Sequence, residues 1–451
     1  MCTNKVVGRW IAGGDVARSY LRPEGRYLLL SGVLALSYLI SSSAAAAAGP
    51  GLATGPGLVY GDGTHTGSLH TSLANPAGTP ASPRVGVQFG ANVGFGYELG
   101  DMNQIIDSVD EVMDLLDKEF ESFSEAKEGV DALDDVLKQL GEHGRGKLRA
   151  GGSVPIVVGR ADAGWALGIE LGSDFSAGFS VLDDPLRVEN NEVKTETSLY
   201  LKGAQVQRLS LAPGLKVADW DGRNLYVGAR VNYYSADMYK TVVPLDGQDG
   251  DDFEIVSDEL DRQVNSSTAL GFDLGAVYQT SYFRGGVTWL NVNEPEFDFP
   301  SVGVGCGQIA DASQKRNCEA AQYFGDRISL QETWKLNDQA RGELALHDPS
   351  QRLVLSASYD FNTVRDVSGD EYQWLAMSAS YRLPWYLKWI PDMRVGYREN
   401  QAGSELSYYS LGLTWLGVLS LDAALSDQTI DHDGDSWPRS AMVNIGLQMR
   451  F

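Results

Sequence analysis

The stretch that most restricts the fold runs from Ala441 to Phe451, Ala-Met-Val-Asn-Ile-Gly-Leu-Gln-Met-Arg-Phe. Ala441, Val443, Ile445, Leu447, Met449 and Phe451 form one alternating set, and Met442, Asn444, Gly446, Gln448 and Arg450 form the other. A side-chain period of two belongs to a β-strand, so the segment has one apolar and one mostly polar surface. Two architectures use such a strand. One is a soluble β-sandwich with a wet outer face, and the other is a barrel with lipid outside and a polar interior.

Composition narrows the choice. Glycine is abundant at 51 of 451 residues, aromatics make up 10 %, and mean hydropathy is −0.20. That hydropathy excludes a bundle of membrane helices but suits a barrel, whose lumen and loops are polar. The formal net charge of −24 argues against a nucleic-acid-binding surface, which should be basic. Lys5, Arg9, Arg18, Arg22 and Arg26 precede the apolar run Tyr27–Ile40, which is followed by small residues to Ala48. This charged, apolar, small-residue order is that of a secretory signal covering 1–48. The run is too short for a membrane span.

Residues 49–83 are rich in Gly, Pro, Thr and Ser and read as irregular. From Arg84 to Glu98 the alternation is clean, with Val87, Phe89, Val93 and Phe95 on one face and Gln88, Asn92 and Glu98 on the other. The pattern then breaks over 101–148. Ile105, Val109, Val112, Leu116 and Phe120, then Val130, Leu133, Leu137 and Leu140, recur at three and four, as in a helix. From Asp101 to Gly146 there are 14 acidic residues and 4 Lys or Arg, so this insert reads as acidic helices.

Alternation returns afterwards. Segments are expected at 153–159, 165–181, 194–215, 225–233, 272–278, 284–292, 339–347, 351–363, 372–383, 392–399, 405–416, 418–428 and 441–451. Residues 327–336 are expected to extend the strand at 339. A slip near Gln207–Arg208 suggests a bulge. The count is about 14, an even number as single-chain bacterial barrels require. Connections alternate between short and long, with 416–418 and 347–351 short, and 427–440, 293–326 and 238–264 long. A barrel with short periplasmic turns and long outer loops explains this alternation, and a sandwich does not. The expected chain is therefore all-β: a 14-stranded antiparallel transmembrane barrel over 84–451, in the bacterial outer membrane, with lipid as its solvent. Phe451 is expected to be read as an assembly signal by barrel-assembly machinery.

On this reading Glu170, Asp174, Tyr226, Arg230, Asp273, Asp360, Arg382, Arg394 and Arg398 face the lumen. Cys306 and Cys318 share one outer loop of an exported chain and are expected to pair. Asp246–Asp252 and Asp431–Asp435 lack the register of a calcium loop. None of the five histidines, His65, His70, His143, His347 and His432, sits on an expected strand beside a serine suited to a barrel lipase. No metal, cofactor or enzymatic activity is expected.

Asn75-Pro76-Ala77, just ahead of the first strand, is similar to the N-terminal motif of the long-chain fatty-acid porins. Gly271–Tyr278 and Val287–Phe297 resemble the mid-barrel pattern of the same superfamily. Gln339–Pro349 and Arg352–Asn362 resemble the barrel-type conjugal transfer protein TraF. The resemblance implies a 14-stranded barrel with residues 49–83 as a plug. It leaves two functions: passage or binding of a hydrophobic small molecule, or a structural role in a conjugal-transfer or other envelope apparatus. In the second, an envelope protein would dock on the acidic helices.

Overall fold

A computed structural model describes residues 55, 57–61, 63–65, 67–82, 86–101, 123–160, 163–189, 192–245, 264–384, 389–432 and 435–451. The expected signal, most of the first half of the acidic insert and the Asp246–Asp252 loop lie outside these residues. Fourteen strands close into one barrel in sequence order. They are β1 Gly86–Leu99, β2 Arg145–Arg160, β3 Trp165–Leu182, β4 Ser198–Trp220, β5 Arg223–Pro244, β6 Val264–Gln279, β7 Phe283–Leu290, β8 Gln339–His347, β9 Leu353–Asp360, β10 Trp374–Tyr381, β11 Asp392–Asn400, β12 Ser407–Trp415, β13 Leu419–Ser426 and β14 Ser440–Arg450. Each pairs antiparallel with the next, and β14 closes on β1 from Gln88↔Arg450 to Glu98↔Ser440.

Burial follows the alternation. Gln88, Asn92 and Glu98 of β1 are buried inside, while Val87 and Val93 are exposed outside. The outward apolar belt has a sharp upper edge. Leu171, Leu209, Tyr233 and Leu270 form one registered row across β3–β6, and Ser173, Gln207, Ser235 and Thr268 form the row above it. Trp165, Trp220, Tyr282, Tyr381 and Trp389 stand exposed at the opposite edge, beside the short turns.

The wall is uneven. Strands β7 to β14 have 8 to 11 residues, but β4 has 23 and β5 has 22. The slip expected at Gln207–Arg208 is therefore not a bulge: pairing there is regular, and the register shift lies between Lys216 and Ala218. The strand geometry continues while the surroundings of its two faces exchange. Above the belt, Gln205 and Gln207 face out, and Ala204 and Val206 face an apolar interior.

Four other expectations change. β2 begins at Arg145 rather than Ser153, because its glycines mask the alternation; Gly151 pairs with Gly94 of β1. The helical insert accordingly ends at His143. Thr333–Lys335 does not extend β8; it pairs with Glu296–Asp298 in a separate two-stranded sheet. Tyr239–Pro244 belongs to β5 rather than to a loop.

The long connections cluster at the end remote from the aromatic row. They carry the helix Phe123–His143, the hairpin Arg187–Lys194, and the segment 291–338 with its helix Ala312–Tyr323. Cys306 and Cys318 are bonded, at a Cα separation of 5.5 Å. Beside the step from β6 down to β7, Asn293 mimics a strand. Its Oδ1 accepts from Phe272 N (2.9 Å) and its Nδ2 donates to Leu270 O (2.8 Å). Among the described residues no helix is long and apolar enough to cross a membrane.

Candidate functional site

The interior is built from two components, the N-terminal segment 57–82 and the charged side chains of the inward face. The segment forms three single-turn helices, Gly57–Tyr60, Leu69–Ser72 and Gly78–Ala81. Between the last two, Asn75 makes its own turn, its Oδ1 accepting from Ala77 N at 2.9 Å. Pro76 then fixes the chain direction. This turn lies on a row of three glycines, Gly214↔Gly228↔Gly275, on β4, β5 and β6. A Cβ at Gly275 would come within 2.0 Å of Asn75 Oδ1, and one at Gly228 within 2.4 Å of Pro76 backbone atoms. Glycine is required there by close approach of another backbone.

Asn75 Nδ2 donates to Val287 O (3.1 Å), Glu343 Oε1 (3.2 Å) and Ala276 O (3.3 Å). Glu343 also accepts from Thr64 N and from Thr64 Oγ1, and Arg284 donates to Thr64 O. The β7 arginine and the β8 glutamate thus hold both polar groups of one peptide residue. Arg230 donates to Leu73 O (2.8 Å), and Arg394 lies over the Tyr60 ring (5.2 Å). A backbone inside a barrel has no water to satisfy it in bulk, so charged groups aimed at its N–H and C=O groups are strong anchors.

The inward face is bridged by ion pairs. Arg149 holds Asp174 at 2.8 Å, Arg208 holds Glu170 at 3.1 Å, Arg230 holds Asp273 at 2.6 Å, and Arg341 holds Asp360 at 2.6 Å. Arg394 reaches Asp422 at 2.6 Å from two strands away. It can do so because Gly412 lies between them in the same row: a Cβ there would come within 2.2 Å of Asp422 Oδ1 and 2.3 Å of Arg394 Nε. Arg398 stacks on Trp374 at 4.1 Å. Buried charges of this kind are tolerated only when paired.

Above the belt the interior becomes apolar. Tyr234, Ala236 and Met238 of β5 pack against Phe297, Phe299, Trp334 and Leu336 of the segment 291–338. Lys202 bonds Glu332 at 2.5 Å, and Lys240 donates to Ser329 O at 2.9 Å. Tyr323 OH reaches Asp184 at 2.7 Å, and Arg327 reaches Asp183 at 2.7 Å. These contacts tie the segment to the tall wall as a cap.

The lumen-facing residues read from sequence are arranged as follows. Glu170, Asp174, Tyr226, Arg230, Asp273, Asp360, Arg394 and Arg398 are all buried inside the barrel. Arg382 follows the end of β10, half-buried, beside His65 and Gly67 of the N-terminal segment. Phe451 is exposed, with its N–H on Val87 O at 2.9 Å. Missing from the sequence reading were Arg149, Arg208, Arg284, Arg341, Glu343 and Asp422, the partners of the residues it named or of the N-terminal segment. The row Arg394–Gly412–Asp422–Asn444 is visible only once four strands are in register.

His347 is the last residue of β8, where the expected strand 339–347 ends and the short turn begins. His65 meets Ser380 Oγ at 3.2 Å, a pairing with the look of a catalytic dyad. Its wiring is the reverse. Gly67 N donates to His65 Nδ1 (3.3 Å), so in the neutral ring Nε2 carries the hydrogen and donates to the serine. That imidazole cannot accept the serine proton.

The fold and interior define a closed antiparallel β-barrel with its own N-terminal segment folded against its inward face. The chain belongs to the family described as "F plasmid transfer operon, TraF, protein", whose model matches residues 72–360, more than half its length. No curated protein sequence matches. Among solved structures it is similar to a Pseudomonas aeruginosa FadL homologue, at 13 % identity and TM-score 0.46, covering 90 % of this chain and 99 % of that one. It is also similar to the Ralstonia pickettii toluene transporter TbuX, at 11 % identity and TM-score 0.46, covering 89 % and 98 %. The P. putida toluene transporter TodX matches at 10 % identity and TM-score 0.44, covering 85 % and 94 %.

Proposed function

We propose that the protein is an outer-membrane barrel plugged by residues 49–83, and that it serves as a structural component of an envelope apparatus of the conjugal-transfer kind. The acidic face of the helix Phe123–His143, with Asp134, Asp135 and Glu142 exposed, is its docking surface for an envelope partner. The reading rests on the interior. Arg–carboxylate pairs at successive levels, with Glu343 and Arg284 clasping Thr64, make a lumen that an apolar cargo would cross only by stripping paired charges.

The test has two arms. In planar bilayers the wild type should pass no steady current, and the Asn75→Ala, Glu343→Ala double variant should conduct. In cells, removal of residues 101–144 should lower plasmid transfer at least tenfold while leaving a heat-modifiable barrel in the outer membrane. Unchanged transfer would sink the structural reading.

A second reading, passage of hydrophobic small molecules, draws on the apolar cluster of Tyr234, Phe297 and Trp334 inside the cap. Uptake of a hydrophobic dye by the wild type, lost in Phe297→Ala, would favour it.

A further inference from the structure

Every neighbouring pair of strands in the barrel is joined through the intervening chain except one. β1 and β14 are the two ends of the sheet, and no connection links them. Their eleven-residue ladder must form without the loop closure that assists every other pair. The N-terminal segment crosses the barrel's inner face at this seam. Arg450 donates to Gly67 O (2.8 Å), and Leu69 N donates to Gln448 Oε1 (2.8 Å), so residues 67–69 are held by β14.

His70 completes the crossing. Asn92 Nδ2 on β1 approaches His70 Nδ1 at 2.8 Å, and an amide NH₂ can only donate, so Nδ1 accepts. The ring hydrogen is then on Nε2, which donates to Leu447 O of β14 at 3.2 Å. Asn92 also donates to Ser153 Oγ on β2 at 2.7 Å. One neutral imidazole therefore bridges the two strands that no connection joins. Gly90 makes room for it: a Cβ there would lie 3.0 Å from both His70 Cε1 and Leu447 O.

We propose that residues 67–70 are an internal staple across the β1–β14 seam, so that seating these four residues and closing the barrel are one coupled step. The staple replaces the covalent connection this pair lacks. The segment's other attachments, at the glycines Gly214, Gly228 and Gly275 and at Arg284 and Glu343, lie on strands already joined in sequence and do not supply closure. The inference goes beyond the proposed function and holds for a transporting barrel as well as a structural one.

The test is amide hydrogen exchange of the full-length protein in detergent, read by peptide. His70→Ala removes the bridge, and Gly90→Ala displaces the ring without deleting it. Asn75→Ala loosens the segment at the other side of the lumen and is the control. Both seam variants should speed exchange about tenfold or more in peptides covering Phe89–Phe95 and Val443–Leu447, with Val227–Val231 unchanged. Asn75→Ala should leave the seam peptides as they are. Unchanged exchange at the seam in His70→Ala, acceleration spread evenly round the sheet, or an equal effect of Asn75→Ala would overturn the staple. If His70→Ala does not fold, Gly90→Ala is judged by the same criteria.

Discussion

The lower and upper halves of β4 and β5 are the same strands in opposite surroundings. In the belt, Leu209, Leu211 and Tyr233 face out, and Arg208, Arg230 and Asn232 face in. A few residues up, Gln205, Ser235 and Asp237 face out, and Ala204, Ala236 and Met238 face in. The hydrogen-bond ladder runs through the boundary without interruption. A strand of 23 residues has a contour of about 76 Å at roughly 3.3 Å per residue. About 9–11 residues suffice to cross a bilayer, so more than half of it exceeds what a membrane span needs. Polarity is thus a property of the solvent on each side, not of the strand. In lipid the outer face must be apolar and the lumen carries the polar groups, whereas in water the barrel extension obeys the rule of a soluble sheet packed on a core.

The largest effect should come from breaking the lower interior. Arg230→Ala leaves Asp273 buried without its guanidinium, a change that costs about 3–5 kcal/mol for a buried pair. It should appear as a clear drop in the urea midpoint of the whole barrel. A local change at the cap with no shift in the barrel transition would contradict the ion-pair account. Next, the two outer surfaces can be compared directly. Leu211→Arg inside the belt should cost about 2–4 kcal/mol, depending on depth. Gln207→Arg, four residues away on the same face, should stay within about 0.5 kcal/mol. Equal penalties would move the belt edge.

A smaller effect tests the upper core alone. Serine at both Cys306 and Cys318 should lower the stability of the cap by roughly 3 kcal/mol or less. Limited proteolysis should then cut 299–325 faster, while heat-modifiability of the barrel is retained. The smallest lies outside both regions. At the tight turn after His347, Asp348 accepts from Ser350 Oγ and from the backbone N–H groups of Leu353, Ser350 and Arg352. These bonds hold its carboxyl down to about 2. Its folded value lies below an unfolded one near 3.9, so its contribution is present above about pH 4 and lost as pH falls toward 2. Asp348→Asn should remove that slope from a pH series of unfolding midpoints. Because the side chain is only half-buried, at a turn on the surface, solvent screens it and the slope should be shallow.

Much of this architecture was legible because lipid enforces a simple rule. Where one face meets hydrocarbon and the other a polar lumen, as in β1 and β14, alternation marks both the strand and its orientation. The same rule failed where the lipid ends. Gln207–Arg208 read as a bulge because the expected polarity reversed while the geometry did not. It also failed at β2, where Gly146, Gly151 and Gly152 carry no side chain to alternate. Individual lumen residues such as Asp273 and Arg394 could be named from a single strand. Their partners could not, since pairing depends on register between strands, as at Gly412. The Asn75-Pro76-Ala77 motif could be seen, but its seat on three separate strands could not.

The three residues between Ser82 and Gly86 set a leash on the enclosed segment. Four peptide steps reach at most about 14 Å. A segment whose Thr64, Asn75 and His70 let go of their partners on the barrel therefore stays tethered to β1 through Ser82, at an effective concentration on the order of millimolar. Its release and recapture form an intramolecular equilibrium with a dimensionless constant. On the plug reading proposed above, the fraction of open barrels would be set by the anchors themselves and would be the same in a sparse membrane as in a crowded one.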